Sequence, residues 1–233
     1  MISKKILGYL VLYILFFLPV IFLLFLYPAT HHYTPLDIVN EDIIDLKHFS
    51  SFENDENIQF KDHITALCFS SSNPLDSRIM ASNIKELVYD KFKGFKNFQI
   101  IMLVPNGSQD MVKKLEQEIS PYEDLKYWHF IFGSQDDILK VSSSLKKSTS
   151  TNTEHLIYII DKDVNQRGRI YDNDEKTKDD IKAPHLFAYD AMKVSEIKNK
   201  MNDDLRILFT EYRQKRKGNF NSDIRRLQDI NKK

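Results

Sequence analysis

ITALCFSSSNP, residues Ile64 to Pro74, decides how the chain folds. Ile64 to Ser70 is a compact apolar run with the composition of an interior strand. The Ser-Ser-Ser-Asn-Pro that ends it is a loop signal, in which Asn73-Pro74 favours a turn and Asp76 is placed to cap the next helix. From Asp76 to Lys91 the apolar residues Ile79, Met80, Ile84, Leu87 and Val88 are spaced to make one face of that helix. A strand feeding an amphipathic helix through a short polar loop is the building unit of an α/β domain, and it recurs downstream.

FQIIMLV (Phe98 to Val104) is the next strand, stopped by Pro-Asn-Gly, and Gln109 to Ile119 repeats the helical pattern through Met111, Leu115 and Ile119. YWHFIF (Tyr127 to Phe132) supplies a third strand, and Asp136 to Leu145 a shorter helix. Glu154 to Ile160 gives a fourth strand whose exit, Asp161-Lys-Asp, followed by Arg167 to Tyr171, reads as an antiparallel hairpin. A helix from Lys193 to Lys215 carries Val194, Ile197, Met201, Leu205, Leu208 and Tyr212 at intervals of three or four. That stripe is expected to cover one face of the same sheet, the alternative being a docking helix for a partner. The order βαβαβα, β-hairpin, helix is that of a thioredoxin-like α/β domain, and roughly 150 residues suffice to bury an independent core.

The composition excludes several function classes. With 33 Lys+Arg against 33 Asp+Glu the chain has no cationic surplus for general nucleic-acid binding. One cysteine excludes an intramolecular disulfide, a Cys-x-x-Cys redox pair and a thiolate zinc site. With six glycines and no Gly-x-Gly-x-x-Gly or Gly-x-x-x-x-Gly-Lys run, no nucleotide partner is expected. Ile6 to Tyr27 contains no charged residue and is long enough to span roughly 30 Å of hydrocarbon. Lys4 and Lys5 precede it and no charge comes after it until Asp37, so the short N-terminus is expected in the cytoplasm and the rest beyond the membrane. An uncleaved anchor is expected rather than a signal peptide, because the run exceeds a usual h-region and is not succeeded by a small-x-small cleavage site. A lipoprotein is not expected, since no cysteine lies near the N-terminus. The division expected is a cytoplasmic stub and transmembrane anchor (1–28), a linker (29–56), the thioredoxin-like domain (57–190), a C-terminal amphipathic helix (191–217) and a basic tail (218–233).

Four features carry a resemblance to the Sco/SenC family of membrane-anchored thioredoxin-fold proteins. These are the anchor with its His31-His-Tyr-x-Pro-Leu36 linker, Trp128-His-Phe-Ile-Phe-Gly133-Ser, the Ile160-Asp161-Lys-Asp…Arg167-Gly168 hairpin, and Val194 to Asp204. The resemblance covers nearly the whole chain. It implies a role in copper-site assembly of cytochrome oxidase, an inner-membrane location with the soluble domain in the periplasm, and a membrane protein of the respiratory chain as partner. Family members carry Cys-x-x-x-Cys after the first long strand and a distal histidine before the penultimate one. Aligned on Phe69, this chain has Ser72 and Asp76 at the two cysteine positions. Neither side chain replaces a soft thiolate for Cu(I), and Ser72 is no redox group. Cys68 falls four residues early, inside the apolar strand. His155 lies near the distal histidine but two positions off, with Thr153 nearer the family's place, so no ligand role is carried to it.

Other readings of single residues are weaker. His31 and His32 adjoin the membrane, but strand neighbours point apart and the linker offers no third metal ligand. The acidic loop of Asp172, Asp174, Glu175, Asp179 and Asp180 is neutralised by interleaved lysines and lacks EF-hand spacing. Ser70-Ser71-Ser72 has no Gly-x-Ser-x-Gly elbow, and His129 is expected as a half-buried strand residue. The expectation is therefore a non-catalytic accessory binding factor, with no catalytic, cofactor or metal residue assigned. Two rivals are a copper chaperone with a rearranged site using His31, His32, His155 or methionines, and a single-cysteine thiol enzyme using Cys68.

Overall fold

The computed structural model describes residues 4–26, 34–41, 43–46, 49–51, 58–147, 154–171 and 185–218. Helix α1 (Lys4–Leu26) contains Pro19 and is long and apolar enough to cross a membrane; its described side chains are all exposed. Met1–Thr34 and Pro35–Lys233 form two separate compact units.

The second unit is built on a single sheet. In chain order its elements are β1 (Asp37–Asn40), β2 (Ser50–Ser51), β3 (Ile64–Phe69), α2 (Pro74–Ile84), α3 (Asp90–Phe92), β4 (Phe98–Pro105), α4 (Gln109–Ile119), β5 (Trp128–Gly133), α5 (Gln135–Ser144), β6 (Leu156–Ile160), β7 (Gln166–Gly168), β8 (Tyr189–Asp190), α6 (Val194–Glu196) and α7 (Asn202–Arg216). Turns of π-helix over Lys85–Tyr89 and Ile197–Met201 join α2 to α3 and α6 to α7. The strand order is β1-β7-β6-β3-β4-β5-β2, with β8 also paired to β6. β3, β4 and β5 are parallel, β6 runs antiparallel beside β3, and β7 turns back antiparallel to β6. Three parallel strands with crossover helices, closed by an antiparallel hairpin, make the thioredoxin-like arrangement.

The continuous apolar runs arise because the sheet is covered on both faces, so residues of either parity are buried. Ile64, Ala66, Cys68, Ile100 and Met102 face one core with Met80, Ile84, Val112 and Leu115 of α2 and α4. Leu67, Ile101, Leu103 and Ile131 face the other, under Ile138 and Val141 of α5. Ile197, Met201, Leu205 and Leu208 join the first core, so the C-terminal stripe covers its own sheet.

Two local expectations change. Asp76 does not cap α2; the Asn73 side chain accepts from the Leu75 N–H (3.1 Å), because Pro74 suits the first helical position and leaves Asn73 just outside it. Asp76 lies inside the first turn. The stretch expected as a linker supplies β1 and β2, which pair with β7 and β5 at the two edges. Strands this short carry too few residues for an alternation to show. His31, His32, Thr153, the acidic loop over 172–180 and the tail beyond Gly218 lie outside the described residues.

Buried charge fastens the C-terminal helix to the hairpin. Arg167 on β7 is fully buried, donating to Asp161 Oδ2 (2.8 Å), Glu211 Oε2 (2.6 Å) and the Leu36 carbonyl (2.8 Å). Asp161 Oδ1 accepts the Asp163 and Asn165 N–H groups and shapes the hairpin turn. The Arg169 guanidinium grips Asp204, which also accepts from the Tyr189 hydroxyl. Between these arginines Gly168 lets the chain approach Leu186 closely; a Cβ there would stand 2.6 Å from the Leu186 carbonyl oxygen.

Arg167→Met leaves Asp161 buried without its cation and Glu211 with Lys215 alone, and should cost about 3–5 kcal/mol in urea unfolding. Gly168→Ala, which forces β7 away from Leu186, should cost about 1–3 kcal/mol in the same assay. A change within about 0.5 kcal/mol for both would show that neither the charge cluster nor the close approach governs stability.

Candidate functional site

The loop between β3 and α2 lies at the C-terminal end of β3, where a parallel sheet opens its crevice. It is held locally. The Ser71 N–H donates to Ser77 Oγ (2.8 Å), and the Ser77 hydroxyl donates back to the Ser71 carbonyl (3.2 Å). Ser72 stands exposed in this loop, and Asp76 comes one helical turn on.

The other wall comes from the residues that precede β6. β6 runs antiparallel to β3 with Cys68 opposite Ile157, so Glu154 and His155 arrive beside the loop that β3 enters. The Ser71 and Ser72 hydroxyls donate to Glu154 Oε2 at 3.4 and 3.2 Å. His155 Nε2 stands 3.3 Å from Asp76 Oδ2, and the His155 carbonyl accepts the Ala191 N–H (2.8 Å). The structure therefore brings together Ser72, Asp76 and His155, which the sequence separates, and adds Glu154. No sequence motif marks Glu154; its place depends on the β3–β6 register.

The donor set is two hydroxyls, two carboxylates and one imidazole. These are hard or borderline groups, with no thiolate for a soft ion. Among the described residues no group of three or more His, Cys, Asp or Glu side chains is arranged to hold a metal. The Ser72 hydroxyl is engaged by a carboxylate, an arrangement that does not by itself generate a nucleophile.

Cys68 is fully buried inside β3, its thiol directed at the Ile101 carbonyl at 3.7 Å. Burial pushes the thiol up to about 12, so it stays protonated at neutral pH and is screened from reagents. Burial likewise pushes the phenol of Tyr158, packed edge-on against Phe69, up to about 12. His129 is half-buried in β5.

The class defined by this sheet is the thioredoxin-like α/β domain, here with a crevice lined by polar groups. Neither a protein-family model nor a curated protein matches the chain. Solved structures do. BsSco, a member of the Sco family of cytochrome c oxidase assembly proteins, matches with a TM-score of 0.50 and 15% identity, over 75% of this chain and 98% of that one. A SCO1/SenC family lipoprotein from Bacillus anthracis str. Ames gives 0.48 and 14%, over 74% and 96%. The thioredoxin domain of a thiol-disulfide oxidoreductase from Bacteroides vulgatus gives 0.43 and 14%, over 72% and 98%. At these identities the likeness is one of fold.

Cys68 should resist maleimide at pH 8 in the native protein and react fully in denaturant, as read by mass spectrometry. The raised values of Cys68 and Tyr158 also set a sign. A thiol or phenol whose folded pKa exceeds its unfolded one stabilises fully below the unfolded value, about 8.5 for Cys and 10 for Tyr, and loses that contribution as pH climbs toward the folded one. The unfolding free energy should therefore fall between about pH 8.5 and pH 12, with less of that fall in Cys68→Ala. Native labelling at pH 8 would mean that Cys68 is reachable and would reopen the thiol-enzyme reading.

Proposed function

We propose that the chain is a membrane-anchored, non-catalytic protein of Sco/SenC type that works by binding, as an accessory factor in assembly of a respiratory cytochrome oxidase. One observation carries the reading: the crevice of the thioredoxin-like sheet holds Ser72, Asp76, Glu154 and His155, while the chain's one sulfhydryl lies buried and protonated in β3. Dithiol exchange needs thiolates at that crevice, and Cu(I) capture of the Sco/SenC kind relies on the same soft sulfur ligands. A domain with the fold and without those groups retains its surfaces for binding. In this reading α1 anchors the chain in the inner membrane with Lys4 and Lys5 on the cytoplasmic side, and the domain is periplasmic. Anchoring confines the search for a membrane partner to two dimensions and raises its effective concentration.

The rearranged copper site and the single-cysteine enzyme make different demands. The first requires three converging ligands, and the second an exposed Cys68 beside a cation. His155 faces the Asp76 carboxylate, and Cys68 faces the Ile101 carbonyl inside the sheet.

Cu(I) competition against a chelator, with the full chain in detergent under anaerobic conditions, tests the reading. The wild-type chain should bind no tighter than about micromolar, roughly −8 kcal/mol. The double variant Ser72→Cys with Asp76→Cys should bind stoichiometrically and tightly, with His155 beside the new thiolates. Tight binding by the wild type would replace the proposal with copper carriage. Weak binding by the double variant would mean that the crevice does not keep the geometry of a copper site. In cells, loss of the chain should lower assembled oxidase, read by haem absorbance, and Cys68→Ser should restore it fully.

A further inference from the structure

At the other pole of the sheet, where β3 and β4 begin, lies an open groove of about 900 Å³. Its floor is aromatic. Phe209 of α7 stacks on Phe95 (centroids 4.3 Å) and on Phe92 (5.6 Å), and Phe95 is 48% exposed. Its walls are basic, with Lys96, Lys162, Arg206, Arg213, Lys215 and Arg216 around that floor. Asp163 is the single acidic side chain among the described lining residues, and it already accepts from the Tyr212 hydroxyl (2.9 Å). Lys215 pairs with Glu211 and Arg206 with Asp203, but Lys96, Arg213 and Arg216 have no carboxylate partner among the described residues. Lys162 and Lys215 both lie over the Tyr212 ring, at 5.4 and 4.7 Å. The chain is neutral overall, so this cluster is a local concentration of charge.

We infer that this groove receives the phosphate headgroups of anionic phospholipid, docking the domain on the membrane surface. The inference rests on the reading of α1 as an anchor. Three cations without a carboxylate partner among the described residues, gathered at one mouth, match a dense field of lipid phosphates, each worth a substantial gain near such a surface. Phe95 beside them supplies the apolar and aromatic partner that interfacial sites combine with Lys and Arg. The chain enters the domain nearer the crevice, with Asp37 opposite Gly168, and β1 runs from there toward the groove pole, where Asn40 lies opposite Gln166 and Gln166 opposite Ile160. Only residues 27–34 separate α1 from Pro35. Ser72, Asp76 and His155 lie at the opposite ends of the same strands, so docking through the groove leaves them turned from the bilayer.

The buried Cys68 makes site-selective labelling simple. Gly94→Cys places a reporter on the groove at a position where an added Cβ meets nothing within 4 Å, and Asn106→Cys places one past the far end of β4. Each full chain is labelled with a fluorophore and reconstituted in nanodiscs carrying a headgroup nitroxide, of phosphatidylcholine alone or mixed with phosphatidylglycerol. The residue 94 reporter should be quenched in the anionic discs far more than in the neutral ones, and the residue 106 reporter in neither. Lys96→Gln, Arg213→Gln and Arg216→Gln should each lower the docked population about fivefold. Raising salt toward about 1 M, where the screening length is about 3 Å, should abolish docking. Equal quenching in neutral and anionic discs, or of both reporters alike, overturns the inference. So does shielding of the residue 94 reporter from aqueous iodide by inorganic phosphate or polyglutamate when anionic lipid gives no quenching, since the groove would then serve free phosphate or an acidic protein. A chain that does not co-elute with the discs overturns the anchor instead, and that is seen before any quenching is measured.

Discussion

A buried guanidinium has to be matched where it lies, because it cannot lose its proton and its desolvation is costly. Arg167 meets that constraint with one partner nearby, Asp161 in the hairpin turn, and two from remote parts of the chain, Glu211 on the last helix and the backbone of Leu36 where the domain begins. The attraction of the two carboxylates outweighs burial and holds the guanidinium pKa above its ordinary value. Two residues on, Arg169 meets Asp204 of the same helix. Alternate residues of a strand share a face, so both arginines reach toward α7. The helix is thereby fixed in position and register as well as by its apolar stripe, and the entering chain is fixed with it.

The legible parts of the fold were those written in local chemistry. Ile64–Phe69, Phe98–Pro105 and Trp128–Gly133 are long apolar runs bounded by turn residues, and both their type and their order come from that pattern. The stripe from Ile197 to Leu208 left open whether its apolar face met this sheet or another chain, and its packing with Ile64 and Ile100 decides the matter. β1, β2 and β8 escaped because two to four residues are too few for periodicity to register. The π-helical turns at Lys85–Tyr89 and Ile197–Met201 escaped for a different reason: their slightly wider turn leaves the apolar spacing still recognisably helical.

The crevice shows where local reading stops. Ser72 and Asp76 were identifiable from their distance to Phe69, since strand, loop and helix start are continuous in sequence. His155 looked displaced by two positions when counted along the chain, yet the antiparallel register of Cys68 with Ile157 sets it against Asp76. Glu154 had no signal at all, because its relation to Ser72 exists only through that register. The Arg167 cluster was visible as residues and invisible as a cluster for the same reason.

The side chains at positions 72 and 76 take no part in the local contacts that shape their loop. That loop is held by Ser71 with Ser77 and by Asn73 capping α2. The core beneath is apolar on both faces, and the polar staple sits on the hairpin side with Arg167 and Arg169. Chemistry at the crevice and stability of the domain are thus set by different residues. A thioredoxin-like scaffold arranged this way keeps its shape whether or not its crevice carries sulfur, leaving the charge pattern of its surfaces free to define what it meets.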